Sequence, residues 1–430
     1  MKLHYVSLGC PKNAIDLEII LGGLAPQTEM AAVPEDADAI LINTCAFITS
    51  AKQEAIETIL QMAALKESKP GVKLLVSGCL PQRYQHELEE LFPEVDAFFF
   101  DREAARTAVE IGTFLGLGGH PCTRRYRLTP GHYAFLRISE GCDNRCSYCA
   151  IPLIKGPMQS RPLPAILEEA ERLAAEGVQE LIVVAQDTTR YGRDLDTPLR
   201  LHHLLASLQQ VRGLRWIRLL YTHPAHWYDE LIDTVVGLDK VVPYIDLPIQ
   251  HISDPILQAM GRHSSRRQIE VLIEKLRRAL PGLALRTSLI VGFPGEQARH
   301  FGELCAFVRE MRFERLGVFC YSPEEGTPAG NWIGSVPEEE KQARMEEILT
   351  IQAEISLEHN QALIGRKLQV VVDEPGETEG TAVARTWWDA PEIDNTVVLD
   401  RPLPPGSWAN VVCTRAEVYD LYGHVVDGYE

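Results

Sequence analysis

The chain has 430 residues and no apolar run approaching the roughly 18 residues that a membrane span needs. Its opening, MKLHYVSLGC, lacks the charged, apolar and small-residue zones of a signal peptide. A cytoplasmic protein with no membrane partner is expected. Positive charge is scarce as well: 42 Lys and Arg stand against 60 Asp and Glu, for a formal net charge of −18. That balance speaks against tight non-specific binding to nucleic acid or to an anionic membrane, since both reward cations. A basic protein is the easier large partner. The 45% of apolar and 24% of charged residues exclude a disordered or fibrous chain. At about 150 residues per domain, the length suits roughly three domains, each able to bury its own core.

Cysteine is sparse too, with ten residues at 10, 45, 79, 122, 142, 146, 149, 305, 320 and 413. A disulfide framework belongs to short secreted chains, whereas clustered thiols in a reducing compartment bind metal or do chemistry. The tightest cluster lies in EGCDNRCSYCAIP, where Cys142, Cys146 and Cys149 form C-x3-C-x2-C. Three thiolates on one short loop can hold three irons of a cubane and leave the fourth without a protein ligand. Zinc is the competing reading. Structural zinc takes four ligands, and the nearest further donor, His132, precedes the loop at no familiar spacing.

Cys10, Cys45 and Cys79 each end an apolar run: LHYVSLGC, DAILINTC and VKLLVSGC. They are spaced about one βαβ repeat apart, with the helical patterns NAIDLEIILGGL and SAKQEAIETILQMAALKE between them. A short strand, DAFFF, and a helix, REAARTAVEIGTFL, complete the segment. Right-handed crossovers bring the C-terminal ends of parallel strands to one sheet edge, so three cysteines distant in sequence should converge there. Three unrelated buried thiols are the plainer alternative.

A second alternation begins near His132. The strands AFLRISE, QELIVVAQD, LRWIRLLYTHP, YIDLPIQ, LALRTSLIVGFPGE and RLGVFCYS alternate with helical patterns. Six such units predict a parallel β/α barrel, incomplete because a closed one needs eight. The cysteine loop leaves the first strand at the end where such barrels place their chemistry. Between the two regions GLGGHPCTRRYRLTPGH reads as a linker, and its Arg124, Arg125, Tyr126 and Arg127 as solvated.

Then EEEKQARMEEILTIQAEISLEHNQALIG predicts a long helix stopping at Gly365. Five short strand patterns follow and suggest a small antiparallel β-barrel of the OB type. From Arg366 onward that segment holds 5 Lys and Arg against 12 Asp and Glu, the wrong sign for tracking phosphates. Trp387 and Trp388, at adjacent strand positions, should face opposite sides, one exposed and one in the core. The expected layout is therefore an open parallel α/β domain over 1–118, a linker over 119–131, a partial β/α barrel with its helix over 132–364, and a β-barrel over 365–430.

The C-x3-C-x-Y-C loop, with Tyr148 before its last cysteine, resembles the cluster motif of radical S-adenosylmethionine (SAM) enzymes. Together with the three-cysteine N-terminal domain and a TRAM-like C-terminal barrel, it resembles the methylthiotransferase family over essentially the whole chain. SLGCPKN, INTCAFI, YTHP, YIDLPIQH and DAPEID look more like the RimO-type branch, which modifies an aspartate of ribosomal protein S-twelve, than the tRNA-modifying MiaB-type branch. The resemblance implies two 4Fe-4S clusters. Cys142, Cys146 and Cys149 would hold the one that cleaves SAM to a 5′-deoxyadenosyl radical, and Cys10, Cys45 and Cys79 the one that presents sulfur. A second SAM would supply the methyl group, and an electron-donor protein the reductant. Gln186 and Asp187 end the second barrel strand, where the family places its contact to the SAM amino group, without spelling the usual glycine-rich motif. Gln250 and Arg286 would reach the SAM carboxylate or ribose, or serve structure alone, and Tyr148 would lie near the adenine. His223 and His251 are candidate substrate contacts, whereas Cys122, Cys305, Cys320 and Cys413 are expected to pack. Two other readings stay open: a tRNA adenosine methylthiotransferase, and a non-catalytic zinc-binding RNA or ribosome module.

Overall fold

The computed structural model describes residues 1–85, 87–118 and 124–426. Cys122 lies outside the described residues, as does most of the first half of the expected linker. The chain divides into two compact units that cut across the segments read from the sequence. One comprises 1–128, 140–158 and 322–330; the other comprises 129–139, 159–321 and 331–430. The cysteine loop thus packs with the N-terminal region, and the C-terminal β-barrel packs with the β/α barrel.

In the first unit, β1 (Lys2–Ser7), β2 (Glu29–Met30), β3 (Ala39–Thr44), β4 (Lys73–Gly78) and β5 (Ala97–Phe98) form a parallel sheet in the order β2-β1-β3-β4-β5. Each residue of β3 is buried, as a central strand covered on both faces requires. Ile40, Ile42, Leu74 and Val76 face one apolar cluster, while Leu3, Leu41 and Leu75 face the other. The crossovers carry α1 (Pro11–Leu24) and α2 (Thr49–Ser68); α3 (Cys79–Tyr84), α4 (Glu87–Leu91) and α5 (Ala104–Phe114) follow. Arg124 to Leu128 are not a solvated linker. Arg125 forms a buried ion pair with Glu18, whose carboxylate also accepts from the Leu128 amide, and the Tyr126 amide donates to the Glu18 carbonyl. A buried guanidinium needs such a carboxylate, and the segment is strapped across α1 as a result.

In the second unit, β6 (Tyr133–Arg137) and the strands Glu180–Val184, Trp216–Leu219, Val241–Asp246, Ala284–Val291 and Arg315–Cys320 form the expected six-stranded parallel sheet in sequential order. One apolar cluster joins its outer face to the surrounding helices. The helix Glu338–Gln361 ends four residues before Gly365. The last five strands close into a barrel whose pairs are antiparallel except for Thr396–Leu399 against Asp420–Val425, which run parallel. The expectation of a wholly antiparallel barrel is corrected at that one seam, where the chain crosses over before closing.

DAPEID joins the two barrels. Asp389 accepts from Arg315 at 2.9 and 2.5 Å, Glu392 from the Tyr133 hydroxyl at 2.8 Å, and Asp394 from the Tyr244 hydroxyl at 2.6 Å. Tyr133 and Arg315 are the first residues of their strands, so this acidic turn seals the N-terminal end of the β/α barrel. Trp387 and Trp388 differ from expectation because their strand ends at Arg385. Both are half-buried, and the Trp388 indole donates to the Gly282 carbonyl at 2.8 Å.

Candidate active site

Three strand ends of the first unit deliver the three separated cysteines. Cys10 caps α1, with its carbonyl accepting from Asn13 and Ala14; Cys45 follows β3 directly; Cys79 opens α3. Cys45 and Cys79 are buried and Cys10 is partly so. Burial pushes the Cys45 thiol up against hydrogen bonding at Phe47, and the charge of Cys10 adds to the rise. Burial likewise pushes Cys79 up to about 12; Lys155 works the other way, and Cys45 and Cys10 add to the rise. Three thiolates that repel one another in a dry site are the donor set a cationic iron–sulfur centre neutralises, so these residues fit such a cluster.

Asn13 organises this edge. Its side-chain amide donates to the carbonyls of Leu8 at 2.6 Å and Thr44 at 3.2 Å, and its Oδ1 lies 3.8 Å from the Cys79 sulfur. Asn43 donates to the Asn13 carbonyl at 2.8 Å and accepts from Ser77 at 3.2 Å. Each of the three strand ends is tied to its neighbour through these amides. Gly9 and Gly78 precede two of the cysteines, both at φ +93°. A Cβ on Gly9 would stand 2.7 Å from the Cβ of Cys45, and one on Gly78 2.5 Å from the Thr44 carbonyl. Only glycine permits both that backbone and that approach. Sequence reasoning passed over Asn13 and these glycines, although the repeated Gly-Cys pair was a visible signal.

The C-x3-C-x2-C loop lies in the same unit. The Cys142 amide donates to Gly156 at 3.1 Å, the Cys149 amide to Cys146 at 3.1 Å, and the Met158 amide to the Asp143 carboxylate at 3.0 Å. These bonds close a turn between Cys146 and Cys149 and tie Cys142 and Asp143 to the segment that follows the loop. Cys146 is buried, while Cys142, Cys149 and Tyr148 are half-buried. The helix that follows, α6 (Ile151–Lys155), puts Ala150 and Ile154 into the apolar cluster containing Cys79 and Leu80.

The second unit carries the other candidates at the C-terminal rim of its strands. Asp187 accepts from the Thr189 amide at 3.1 Å and hydroxyl at 2.5 Å, and pairs with His226 at 2.7 Å. Burial opposes its charge, yet the bond from His226 and the nearby His223 hold it down to about 2. Burial and Arg262 push His223 down to about 2, so a neutral imidazole stacks on His226 at 4.5 Å. The ligand atoms of Asp187, His223 and His226 all lie within 4.8 Å of one another, a spacing that would admit a single metal ion. Gln250 stands at φ +69°, accepting from the Ile290 amide at 2.8 Å and donating its own to Ser288 at 2.9 Å. Tyr221 at φ +59° is a second left-handed rim residue. Such backbone is costly outside glycine and concentrates at functional rims.

Arg286 is occupied by two carboxylates, Asp246 at 2.9 Å and Asp394 at 3.3 Å. Burial opposes its charge, but those carboxylates and Tyr244 raise its affinity for the proton further. His251 is fully buried, accepts from the Ser253 amide at 3.0 Å, and lies 4.0 Å from Glu296. His132 pairs with Asp373 at 2.7 Å. Cys305, Cys320 and Cys413 sit in helix and strand packing as expected.

A half-barrel of six parallel strands with this cysteine loop defines a radical SAM enzyme. The chain matches the Radical SAM superfamily over 136–308, the TRAM domain over 364–426 and the uncharacterized protein family UPF0004 over 2–100. It is 45% identical to the ribosomal protein uS12 methylthiotransferase RimO of Heliobacterium modesticaldum, covering 99% of this chain and 95% of that protein. With the protein of the same name from Pelobacter propionicus it shares 44% identity, over 99% and 98%. The chain belongs to the RimO family of methylthiotransferases, transferases that use 4Fe-4S clusters and SAM. Solved structures share the fold alone. The radical SAM methyltransferase TsrM of Kitasatospora setae, with cobalamin and a 4Fe-4S cluster bound, superposes with a TM-score of 0.57 at 14% identity, over 76% of this chain and 73% of that one. The cobalamin-dependent SAM radical enzyme OxsB gives 0.53 at 11% identity, over 81% and 56%. No helix among the described residues is long and apolar enough to cross a membrane.

Proposed function

We propose that this chain adds a methylthio group to the β-carbon of an aspartate in ribosomal protein uS12, acting in the cytoplasm with an electron-donor protein as its reductant. The observation that carries this reading is the presence of two three-cysteine sets in one compact unit, each one ligand short of a four-iron cluster. An aliphatic C–H bond offers no proton that a side-chain base can remove near neutral pH, so the cofactors supply radical hydrogen abstraction, sulfur and methyl. Cys142, Cys146 and Cys149 would hold the cluster that supplies reductive cleavage of SAM, and Cys10, Cys45 and Cys79 would hold the second. Asn13 and Asn43 keep the second set's strand ends in register, and burial of Cys45 and Cys79 keeps water away.

Asp187, anionic at any working pH, receives the SAM ammonium, and His226 fixes the orientation of its carboxylate. Gln186 and Gln250 would offer amides to the other polar groups of SAM, and Tyr148 would be the aromatic neighbour of its adenine. Arg286, already matched by two carboxylates, acts through Asp246, which accepts from the Tyr221 amide at 2.8 Å. The acidic C-terminal barrel supports a basic ribosomal protein over tRNA as the substrate. One competition reaction tests this reading: reconstituted enzyme, SAM and reductant with uS12 and bulk tRNA together, followed by mass spectrometry of peptides and nucleosides. A methylthio increment on a peptide aspartate is expected. The same increment on adenosine would overturn the substrate assignment.

A further inference from the structure

Lys155 ends the helix that follows the C-x3-C-x2-C loop, and its ammonium is buried. It donates to Asp16 at 2.8 Å, a carboxylate that is itself almost inaccessible. Asp16 stands three residues after Asn13 on α1, so the two share one face of that helix. Asn13 touches the Cys79 sulfur and Asp16 touches Lys155, so the same face of α1 contacts both the sulfur and the ammonium. Ala150 and Ile154, on the segment leading to Lys155, share the apolar cluster that holds Cys79. The remaining charge facing Lys155 is Glu140.

A buried ammonium is stable only beside negative charge, and one carboxylate matches it in the pair alone. The three thiolates add a second source of negative charge on the same side. Nothing in the proposed SAM chemistry uses Lys155.

We propose that Lys155 is a positioning residue for the second cluster, supplying from the radical-loop helix the positive charge that offsets the Cys10, Cys45 and Cys79 thiolates and raises that cluster's reduction potential. This inference rests on the assignment of the second cluster to those three cysteines. A fixed cation beside a cluster favours the added electron, because net charge and local electrostatics set iron–sulfur potentials. Arg at this position keeps the charge; Met keeps the length and loses it. Asn at position 16 keeps the cation and removes its competing anion.

The test uses the full chain with Cys142→Ala, Cys146→Ala and Cys149→Ala, which leaves one site to be loaded with iron and sulfide under anaerobic conditions. Iron content and a potentiometric titration followed by electron paramagnetic resonance are then read for Lys155→Met, Lys155→Arg and Asp16→Asn in that background. The expected result is opposite displacement: Lys155→Met shifts the midpoint to lower potential, Asp16→Asn to higher, and Lys155→Arg stays near the parent. A packing role alone would not give opposite signs. If Lys155→Met fails to hold iron, the Asp16→Asn shift decides, an upward move supporting the proposal and no move overturning it. Iron bound normally with unmoved midpoints overturns the role of Lys155 alone. A parent that binds no iron overturns the ligand set and the proposal with it.

Discussion

Arg315 donates two hydrogen bonds to Asp389, at 2.9 and 2.5 Å, with both side chains buried. The arginine opens the last strand of the β/α barrel, and the aspartate belongs to the acidic turn of the C-terminal barrel. Removing one member leaves an uncompensated buried charge, at a cost of about 3–5 kcal/mol. Asp389→Ala should lower the urea midpoint accordingly. A midpoint within error of the parent would mean that the turn does not anchor the two barrels.

At the three-cysteine edge, Gly9→Ala should expel iron from one site only. The added methyl meets Cys45 at 2.7 Å in a backbone conformation that costs about 1–2 kcal/mol for an L side chain. Iron per chain should fall by about half relative to two four-iron clusters, while reductive cleavage of SAM persists. Full iron content in that variant would show that the edge relaxes around the methyl group.

The two cysteine sets should separate in function. Cys142→Ala is expected to abolish 5′-deoxyadenosine formation under anaerobic turnover. Cys45→Ala should keep that cleavage and lose the methylthio product. Methylthio product at parental yield from Cys45→Ala would sink the sulfur-presenting role of its site.

Acid should weaken the fold through His251, which burial holds down to about 3 against an ordinary 6.5, with His300 and Arg344 adding to the shift. As pH falls below 6.5 the unfolded chain takes up its proton first, so stability is present above that value and is lost progressively toward pH 3. Between pH 7 and pH 5 this histidine alone accounts for a loss of about 2 kcal/mol. Glu296, lifted by burial above the usual carboxylate range, works in the opposite sense nearer its own range. Urea unfolding at both pH values should show His251→Gln losing less stability on acidification than the parent. An identical pH dependence would place the titrating group elsewhere.

Much of this was legible in the sequence because the signals are local. Period-two and period-3.6 apolar patterns set the six barrel strands, the N-terminal sheet and the five short strands that close at the end. The spacing of Cys142, Cys146 and Cys149 is contained within one loop, and the sheet-edge rule was enough to bring Cys10, Cys45 and Cys79 together. Charge balance pointed away from nucleic acid.

What the tertiary structure alone decided are pairings between residues far apart in the chain. Arg125 looked solvated among its neighbours, yet Glu18 buries it. Arg286 looked like a ligand contact, and Asp246 with Asp394 take up its charge. DAPEID carried no local reason to seal a barrel, and Lys155 no local reason to lie near Cys79. The division follows from the physics: backbone hydrogen bonding and apolar periodicity are written within a few residues, whereas the partner of a buried charge is chosen only when distant segments pack and exclude water.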